Sequence, residues 1–167
     1  GWEMPLPQLD RILEIVPGES IRAIKCLSLS EDYLQDHFPR FPVMPGVLML
    51  EALYQASSWL VLATHDFDIP NVVLREARNV KYQDFVAPGR QLLVEASIFK
   101  TNGSLITLKT QGSMEGHTAV SGRLILERVA ADQVSGAMEA VVPRTRAALR
   151  QQYSLLLSGH TNTQQTT

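Results

Sequence analysis

The longest stretch of helical sequence begins at Pro45 and Gly46 and continues without another Pro or Gly until Pro70. Proline suits the first turn of a helix, so the pattern predicts an α-helix over residues 47–64. Apolar residues occupy most positions of this segment and fall on every face of the helix. Such a helix has no face suited to water. The rest of the chain is therefore expected to wrap around it and bury it on all sides.

Strand-like segments on both sides of this helix can do the wrapping. Two of them precede the helix and are separated by the turn residues Pro17 and Gly18, and four follow it. The dipeptides Asn102-Gly103 and Glu115-Gly116 are typical of tight hairpin turns. The predicted strands are residues 8–16, 20–28, 71–82, 90–100, 104–111 and 118–128. The pattern predicts an α+β fold, with a curved antiparallel six-stranded sheet around a long central hydrophobic helix.

The chain changes character after Ala130. Pro143 suits the start of a second, accessory helix, whereas residues from 158 onward have almost no apolar content and are predicted to be disordered. We divide the chain into a domain of residues 1–130, an accessory helix within residues 131–157 and a tail of residues 158–167. The residues predicted to share one face of the accessory helix are Leu149, Tyr153, Leu156 and Leu157.

Charge and cysteine content limit the partners to be expected. The formal net charge is −2 and charged residues make up 19 % of the chain, so no strong field favours nucleic acid or an anionic membrane. The single cysteine, Cys26, cannot form an internal disulfide, and no zinc motif is present. No apolar run reaches the roughly 18 residues needed to span a bilayer, and no signal sequence is evident. We expect a cytoplasmic protein without a metal site.

Three polar residues interrupt the apolar helix. Glu51, Gln55 and Ser58 lie at i, i+4 and i+7, on one side of it. A buried, unpaired carboxylate is costly, and protonation relieves the cost by raising the pKa of the carboxyl group. Glu51 is therefore a candidate proton donor, and Gln55 is placed to orient it. The alternative is that Glu51 pairs with an arginine or faces a water-filled gap.

Two further candidates precede Glu51 in the chain. His37 opens a segment, residues 37–44, that is predicted to be a non-helical loop because prolines occur at positions 39, 42 and 45. A neutral imidazole is the usual general base at neutral pH. Gly46 lies at the helix start, where backbone N–H groups lack intrahelical acceptors and can hold a carbonyl oxygen. The alternatives are a structural histidine and a glycine required for close packing.

Base, acid and carbonyl-binding amide together fit one class of reaction. His37 would remove a proton from C2 of a 3-hydroxyacyl thioester, and the Gly46 N–H would stabilise the charge on the thioester oxygen. Glu51 would protonate the departing 3-hydroxyl. The reverse reaction hydrates a trans-2-enoyl thioester. No metal or redox cofactor is needed, so the sequence predicts a cofactor-free hydro-lyase.

The segment HFPRFPVMPGVLMLEALYQA, residues 37–56, closely resembles the signature of the 3-hydroxyacyl-acyl carrier protein dehydratases of the FabZ type, relatives of the FabA dehydratase/isomerases. The similarity extends over roughly residues 9–128. It implies a hot-dog fold and a homodimer whose active sites are each assembled from both chains, with higher oligomers left open. It also implies His37 as the base, Glu51 as the acid, Gly46 as the carbonyl-binding residue, and supporting roles for Gln55 and for the Val43 carbonyl.

The resemblance further implies an acidic acyl carrier protein as the thioester carrier, with coenzyme A as the alternative. Basic residues after the helix could form a docking rim for such a carrier, although solvated strand ends would look the same. The residues of this predicted rim are Arg75, Arg78, Lys81 and Arg90. Two other functions stay open: a hot-dog acyl-thioester hydrolase in which Glu51 activates water, and a non-catalytic acyl-carrier-binding subunit.

Overall fold

The computed structural model describes residues 9–26, 46–83, 91–130 and 146–159. The predicted loop of residues 37–44 and most of the predicted tail lie outside the described residues, as do the residues between Ala130 and the second helix. The elements are β1 (Arg11–Val16), β2 (Ser20–Cys26), α1 (Gly46–Thr64), β3 (Asn71–Tyr82), β4 (Gln91–Asn102), β5 (Leu105–Met114), β6 (His117–Val129) and α2 (Arg146–Ser158).

The six strands form one antiparallel sheet in the order β1-β2-β4-β5-β6-β3. Strands β4, β5 and β6 are joined by hairpins, whereas α1 separates β2 from β3 in the chain. The chain therefore carries β3 past the middle of the sheet to its far edge, beside β6. Bulges interrupt the pairing of β3 with β6 and of β4 with β5, and bulges bend a sheet. The predicted α+β class with a six-stranded antiparallel sheet is confirmed.

The hairpin turns are set by residues that tolerate positive φ. Glu115 and Gly116 have φ of 52° and 82°, as a two-residue type I′ turn requires. The other hairpin differs by one position from the prediction, because Asn102 pairs with Leu105 and leaves Gly103 and Ser104 as the turn residues. Gly103 has a φ of 63°, and Asn102 belongs to β4. Cross-strand pairing thus moves the turn one residue along the chain.

Helix α1 packs against strands β2 to β6. The side of the helix that faces the sheet is fully buried, but a second side is covered only in part. This half-buried stripe consists of Leu50, Glu51, Tyr54, Gln55 and Ser58. Burial on all sides was predicted, but residues 9–26, 46–83, 91–130 and 146–159 bury one side fully and the other only in part. The buried side chains of α1 are Leu48, Met49, Ala52, Leu53, Ala56, Ser57, Trp59, Leu60, Val61 and Leu62.

Helix α2 lies against β1 and against the end of α1. Leu149 and Leu156 are buried, and the Tyr153 ring stacks on Trp59 with 6.0 Å between ring centroids. Leu157 was predicted to share this face, but its side chain is 40 % exposed. The face therefore runs through positions 149, 153 and 156, since a helix turns 100° per residue. In the part of the chain that the structure describes, neither helix is long and apolar enough to cross a membrane.

Candidate active site

Glu51 lies in the second turn of α1, on the half-buried stripe. Its Oε1 atom is buried and has no hydrogen-bond partner within the described parts of the chain. Burial raises the pKa of the Glu51 carboxyl group above its ordinary value, and a hydrogen bond from the Gln55 side chain opposes that rise. Loss of hydration disfavours the charged form of a carboxyl group. Glu51 is therefore biased toward the protonated form that a proton donor needs.

Gln55 links Glu51 by hydrogen bonds to the segment just before β1, the strand at one edge of the sheet. The backbone N–H of Leu9, just before β1, donates to Gln55 Oε1 over 3.2 Å. Because the amide oxygen is occupied in this way, the amide nitrogen is the group left to donate to the Glu51 carboxyl. Gln55 thus supplies a donor to the Glu51 carboxyl group, while Glu51 Oε1 is buried without a hydrogen-bond partner among the described residues.

Ser58, the third polar residue of the predicted stripe, does not join the pair. Its hydroxyl donates back to the Tyr54 carbonyl of its own helix over 2.9 Å. The Tyr54 hydroxyl in turn donates to the Val72 carbonyl of β3 over 2.8 Å. The spacing of Ser58 placed it correctly on the same side of α1, but its hydrogen bond is local. The stripe thus brings together two of the predicted site residues, Glu51 and Gln55, and Ser58 is not part of that pair.

Gly46 is the first residue of α1, one position before the predicted range of residues 47–64, and its N–H group belongs to the turn that lacks intrahelical acceptors. The ring of Tyr82, the last residue of β3, lies over its α-carbon. A Cβ atom added at Gly46 would come within 2.9 Å of Tyr82 Cε1 and within 3.1 Å of Cζ. No local pattern predicts this contact, because only the tertiary fold brings the end of β3 to the start of α1.

His37, Val43 and Arg90 lie outside the described residues. The structure therefore places Glu51, Gln55 and Gly46 on one helix and does not report on their expected partners in the preceding loop. His65 follows the last turn of α1, and burial lowers the pKa of its imidazole. It lies 14 residues after Glu51, which corresponds to roughly 21 Å along a helix at about 1.5 Å per residue. His65 cannot share a proton with Glu51 of the same chain.

The described members of the predicted basic rim lie on β3. Arg75 Nε donates to Glu127 over 2.9 Å, and Arg78 Nε is 2.8 Å from Glu76 Oε1. The hydrogen bond from Arg78 lowers the pKa of the Glu76 carboxyl group. Both arginines are therefore neutralised by neighbouring carboxylates, while Lys81 is exposed near the strand end. These ion pairs reduce the net charge of the rim, and carrier docking at this place stays a prediction.

The amino-acid sequence is similar to a known protein family. Residues 3–123 match the model of the FabA-like domain. The chain is 38 % identical over 120 residues to the 3-hydroxyacyl-[acyl-carrier-protein] dehydratase FabZ of Lactococcus lactis subsp. cremoris, covering 72 % of this chain and 83 % of that protein. It is 36 % identical over 128 residues to the FabZ dehydratase of Levilactobacillus brevis, covering 77 % and 86 % of the two chains.

Among solved structures, the fold is similar to that of a chain in the dehydratase heterocomplex ApeI:P from Xenorhabdus doucetiae. The TM-score is 0.64 at 18 % sequence identity, and the alignment covers 79 % of this chain and 89 % of that chain. At this identity the likeness concerns the fold, which is the hot-dog fold expected from the sequence. The match to the family model covers well over half of the chain, and the identity to the FabZ dehydratases extends across most of it. This chain belongs to the FabA-like domain family.

Proposed function

We propose that this protein dehydrates 3-hydroxyacyl thioesters of acyl carrier protein to trans-2-enoyl thioesters, in fatty-acid or related acyl-chain biosynthesis. Its FabZ relatives carry the name of this activity. The observation that carries the proposal is the state of Glu51, whose Oε1 is buried and unpartnered within the described chain and whose pKa is raised by burial. A carboxyl group whose pKa is raised by burial is biased toward the protonated form, which can donate its proton to a leaving hydroxyl.

The reaction begins with removal of a proton from C2. His37 accepts this proton through its neutral imidazole, and the electron pair of the C–H bond moves toward C1 of the thioester. The N–H group at Gly46 donates to the thioester oxygen and stabilises the negative charge that develops there. Such donors commonly contribute several kcal/mol to the transition state. The sequence supports His37 as the base, and the helix start supports the role of Gly46.

Loss of water completes the reaction. The C2 electron pair forms the C2=C3 bond, and the C3–O bond breaks as the Glu51 Oε1 proton passes to the leaving hydroxyl. Water departs, Glu51 is left ionised and His37 protonated, and a proton returned from His37 to Glu51, directly or through solvent, restores the starting state. Hydration of the enoyl thioester follows the same path in reverse. Gln55 holds the carboxyl group with Oε1 directed to the substrate, because its own oxygen is bound by Leu9.

The working form in this proposal is a cytoplasmic homodimer with residues 1–130 as the catalytic domain. Two features support a second copy. The stripe of α1 that contains Glu51 and Gln55 is only half-buried within one chain, and β3, a strand of 12 residues, lies at an edge of the sheet. An edge strand offers unpaired backbone groups to another chain. The accessory helix and the tail lie outside the catalytic domain.

The test is an assay with 3-hydroxyacyl-carrier-protein and coenzyme A thioesters of several chain lengths. Removal of a general acid or base commonly costs at least about 10²-fold in rate, so we expect losses of that size in Glu51→Gln and His37→Ala. The readouts are formation of the conjugated enoyl thioester and release of free thiol. Release of thiol without the enoyl product would identify a hydrolase instead.

Matched controls separate these losses from damage to the fold. Glu14 and His117 are exposed residues of the same types, on β1 and at the start of β6. Glu14→Gln and His117→Ala should keep the wild-type rate within about 2-fold, since surface substitutions rarely perturb a fold. Full activity in Glu51→Gln or in His37→Ala would reject the role given to that residue. A protein that binds acyl carrier but forms neither product would be the non-catalytic subunit.

A further inference from the structure

The ring of Tyr82 lies over the start of α1, so a side chain at Gly46 would fit only if the ring moved. Its Cε1, Cζ and Cδ1 atoms would lie 2.9, 3.1 and 3.3 Å from a Cβ atom at Gly46. Distances under about 3.0 Å are sub-van-der-Waals contacts that cores avoid. One edge of the ring thus occupies the space that a side chain at position 46 would take. Tyr82 is nevertheless 49 % exposed, so the rest of the ring faces solvent.

The glycine at this position is explained by the ring and not by the backbone. Gly46 is helical and is absent from the glycines of positive φ, where the absence of a Cβ would be needed for conformational reasons. Gly46 lies in the one described turn of α1 whose N–H groups are free to bind a ligand. The close approach of the Tyr82 ring is the feature of the structure that favours glycine there.

The sheet holds Tyr82 in place. Tyr82 pairs with Val120 of β6, and the next residue, Gln83, donates its backbone N–H to the Ala119 carbonyl over 2.8 Å. Val120 and Ala119 are fully buried. The backbone that carries the ring is therefore anchored in the core, and the ring connects this rigid edge to the first turn of α1.

We propose that Tyr82 is a positioning residue for the carbonyl-binding amide: its ring fixes the first turn of α1 against the sheet, so that the Gly46 N–H points at the thioester oxygen. This inference rests on the proposed dehydratase function and extends it to a residue outside the predicted site. A misplacement of about 1 Å at a catalytic group can cost on the order of 10²-fold in rate. Tyr82 acts through Gly46 and not on the substrate's reacting atoms.

The test is a double-mutant cycle of Tyr82→Ala and Gly46→Ala, read as kcat, KM and the melting temperature. Tyr82→Ala should lower kcat by about 10-fold with a change in KM below about 3-fold, since the oxyanion contact strengthens in the transition state. Gly46→Ala keeps its amide N–H but displaces the ring, and should lose about 10²-fold. In the double variant the clash is gone, so its kcat should be no lower than that of Tyr82→Ala alone.

Two comparisons separate positioning from a general structural role. Tyr82→Phe keeps the three ring carbons that face Gly46, and its kcat should exceed that of Tyr82→Ala by at least about 5-fold. Phe99 is an aromatic residue of β4 with 46 % exposure, and Phe99→Ala should leave kcat unchanged. Multiplying losses in the double variant, or an unchanged kcat in Tyr82→Ala, would overturn the inference while the dehydratase function stands. A wild-type protein without dehydratase activity would overturn both.

Discussion

At the scale of single residues, the proposed site depends on a carboxyl group whose charged form is disfavoured by burial. The Glu51 side chain is buried far enough to raise its pKa, and the one hydrogen bond that opposes this rise comes from Gln55. The Leu9 N–H, a backbone group of a distant segment, orients the Gln55 amide. A fully satisfied carboxylate would be more stable but would be a poorer proton donor. We infer that stability at this position is given up for function.

Because burial of the Glu51 carboxylate costs stability, Glu51→Gln should stabilise the protein by an amount that depends on pH. The unfolded chain keeps the ordinary Glu51 pKa of 4.5, whereas burial raises the pKa in the folded protein. Below 4.5 both states are protonated and burial of the charge costs nothing. As pH rises through the raised folded pKa, ionisation increasingly favours the unfolded state. Glutamine cannot ionise, so Glu51→Gln should melt on the order of a few degrees higher than wild type at pH 8.

Differential scanning calorimetry at pH 5 and pH 8 checks the sign. The gap in melting temperature between Glu51→Gln and wild type should narrow toward pH 5, because the penalty builds up only as pH rises from 4.5 toward the raised pKa of Glu51 in the folded protein. Glu14→Gln changes the same functional group at an exposed position and should show no comparable gap at either pH. A gap that is independent of pH would mean that the Glu51 pKa is not raised in the folded protein.

At the scale of elements, α2 is attached to the end of α1 that lies farthest from Gly46. Asp66 and Phe67 follow α1 with φ of 51° and 59°, and the Phe67 N–H closes the helix on the Leu62 carbonyl over 2.8 Å. Arg146 donates to the Asp66 carbonyl over 2.9 Å, and Arg150 pairs with the Asp66 carboxylate. The Tyr153 ring packs edge-on against Phe67. Helix α2 thus caps an end of α1 that takes no part in the proposed chemistry.

Two identical substitutions in α2 should therefore differ in stability. Leu149 is 2 % exposed and Leu157 is 40 % exposed, and both belong to the same helix. Leu149→Ala should lower the free energy of unfolding by about 2–5 kcal/mol, because it leaves a cavity in the core. Leu157→Ala should change it by no more than about 0.5 kcal/mol. Urea unfolding measures both values, and equal effects would contradict the docking of α2 described above.

At the scale of the whole molecule, one chain leaves two features that a second copy would complete. The half-buried stripe of α1 carries Glu51, and among the described strands β3 lies at an edge of the sheet. The resemblance to FabZ dehydratases implies active sites that are each assembled from both subunits. A dimer of two-fold symmetry would then contain two such sites.

Mixing inactive variants tests this sharing. If His37 and Glu51 of one site come from different chains, a heterodimer of His37→Ala and Glu51→Gln has one intact site and one doubly altered site. After unfolding and refolding of an equal mixture, random pairing makes half of the dimers mixed, so activity should return to about one quarter of wild type. Each variant refolded alone is the control. No recovery, in a mixture shown by mass to be dimeric, would place both residues of a site in one chain.

Local features of the chain determined the elements. The apolar run after Pro45-Gly46 predicted α1 to within one residue of its start, and alternation with turn dipeptides predicted six strands close to their observed bounds. The i and i+4 spacing also placed Glu51 and Gln55 on one side of α1. These predictions succeed because helix and strand periods, and the turns that end them, depend on residues close together in sequence.

The tertiary structure decided how distant segments meet. It brought the Leu9 N–H to Gln55, 46 residues away in sequence, and the Tyr82 ring to Gly46. It moved the β4–β5 turn from the predicted Asn102 and Gly103 to Gly103 and Ser104, since cross-strand pairing sets the register. It also turned Ser58 back to its own helix and left Leu157 exposed. No spacing encodes such contacts, because they arise only when the sheet closes against α1 and all of its side chains compete for the same space.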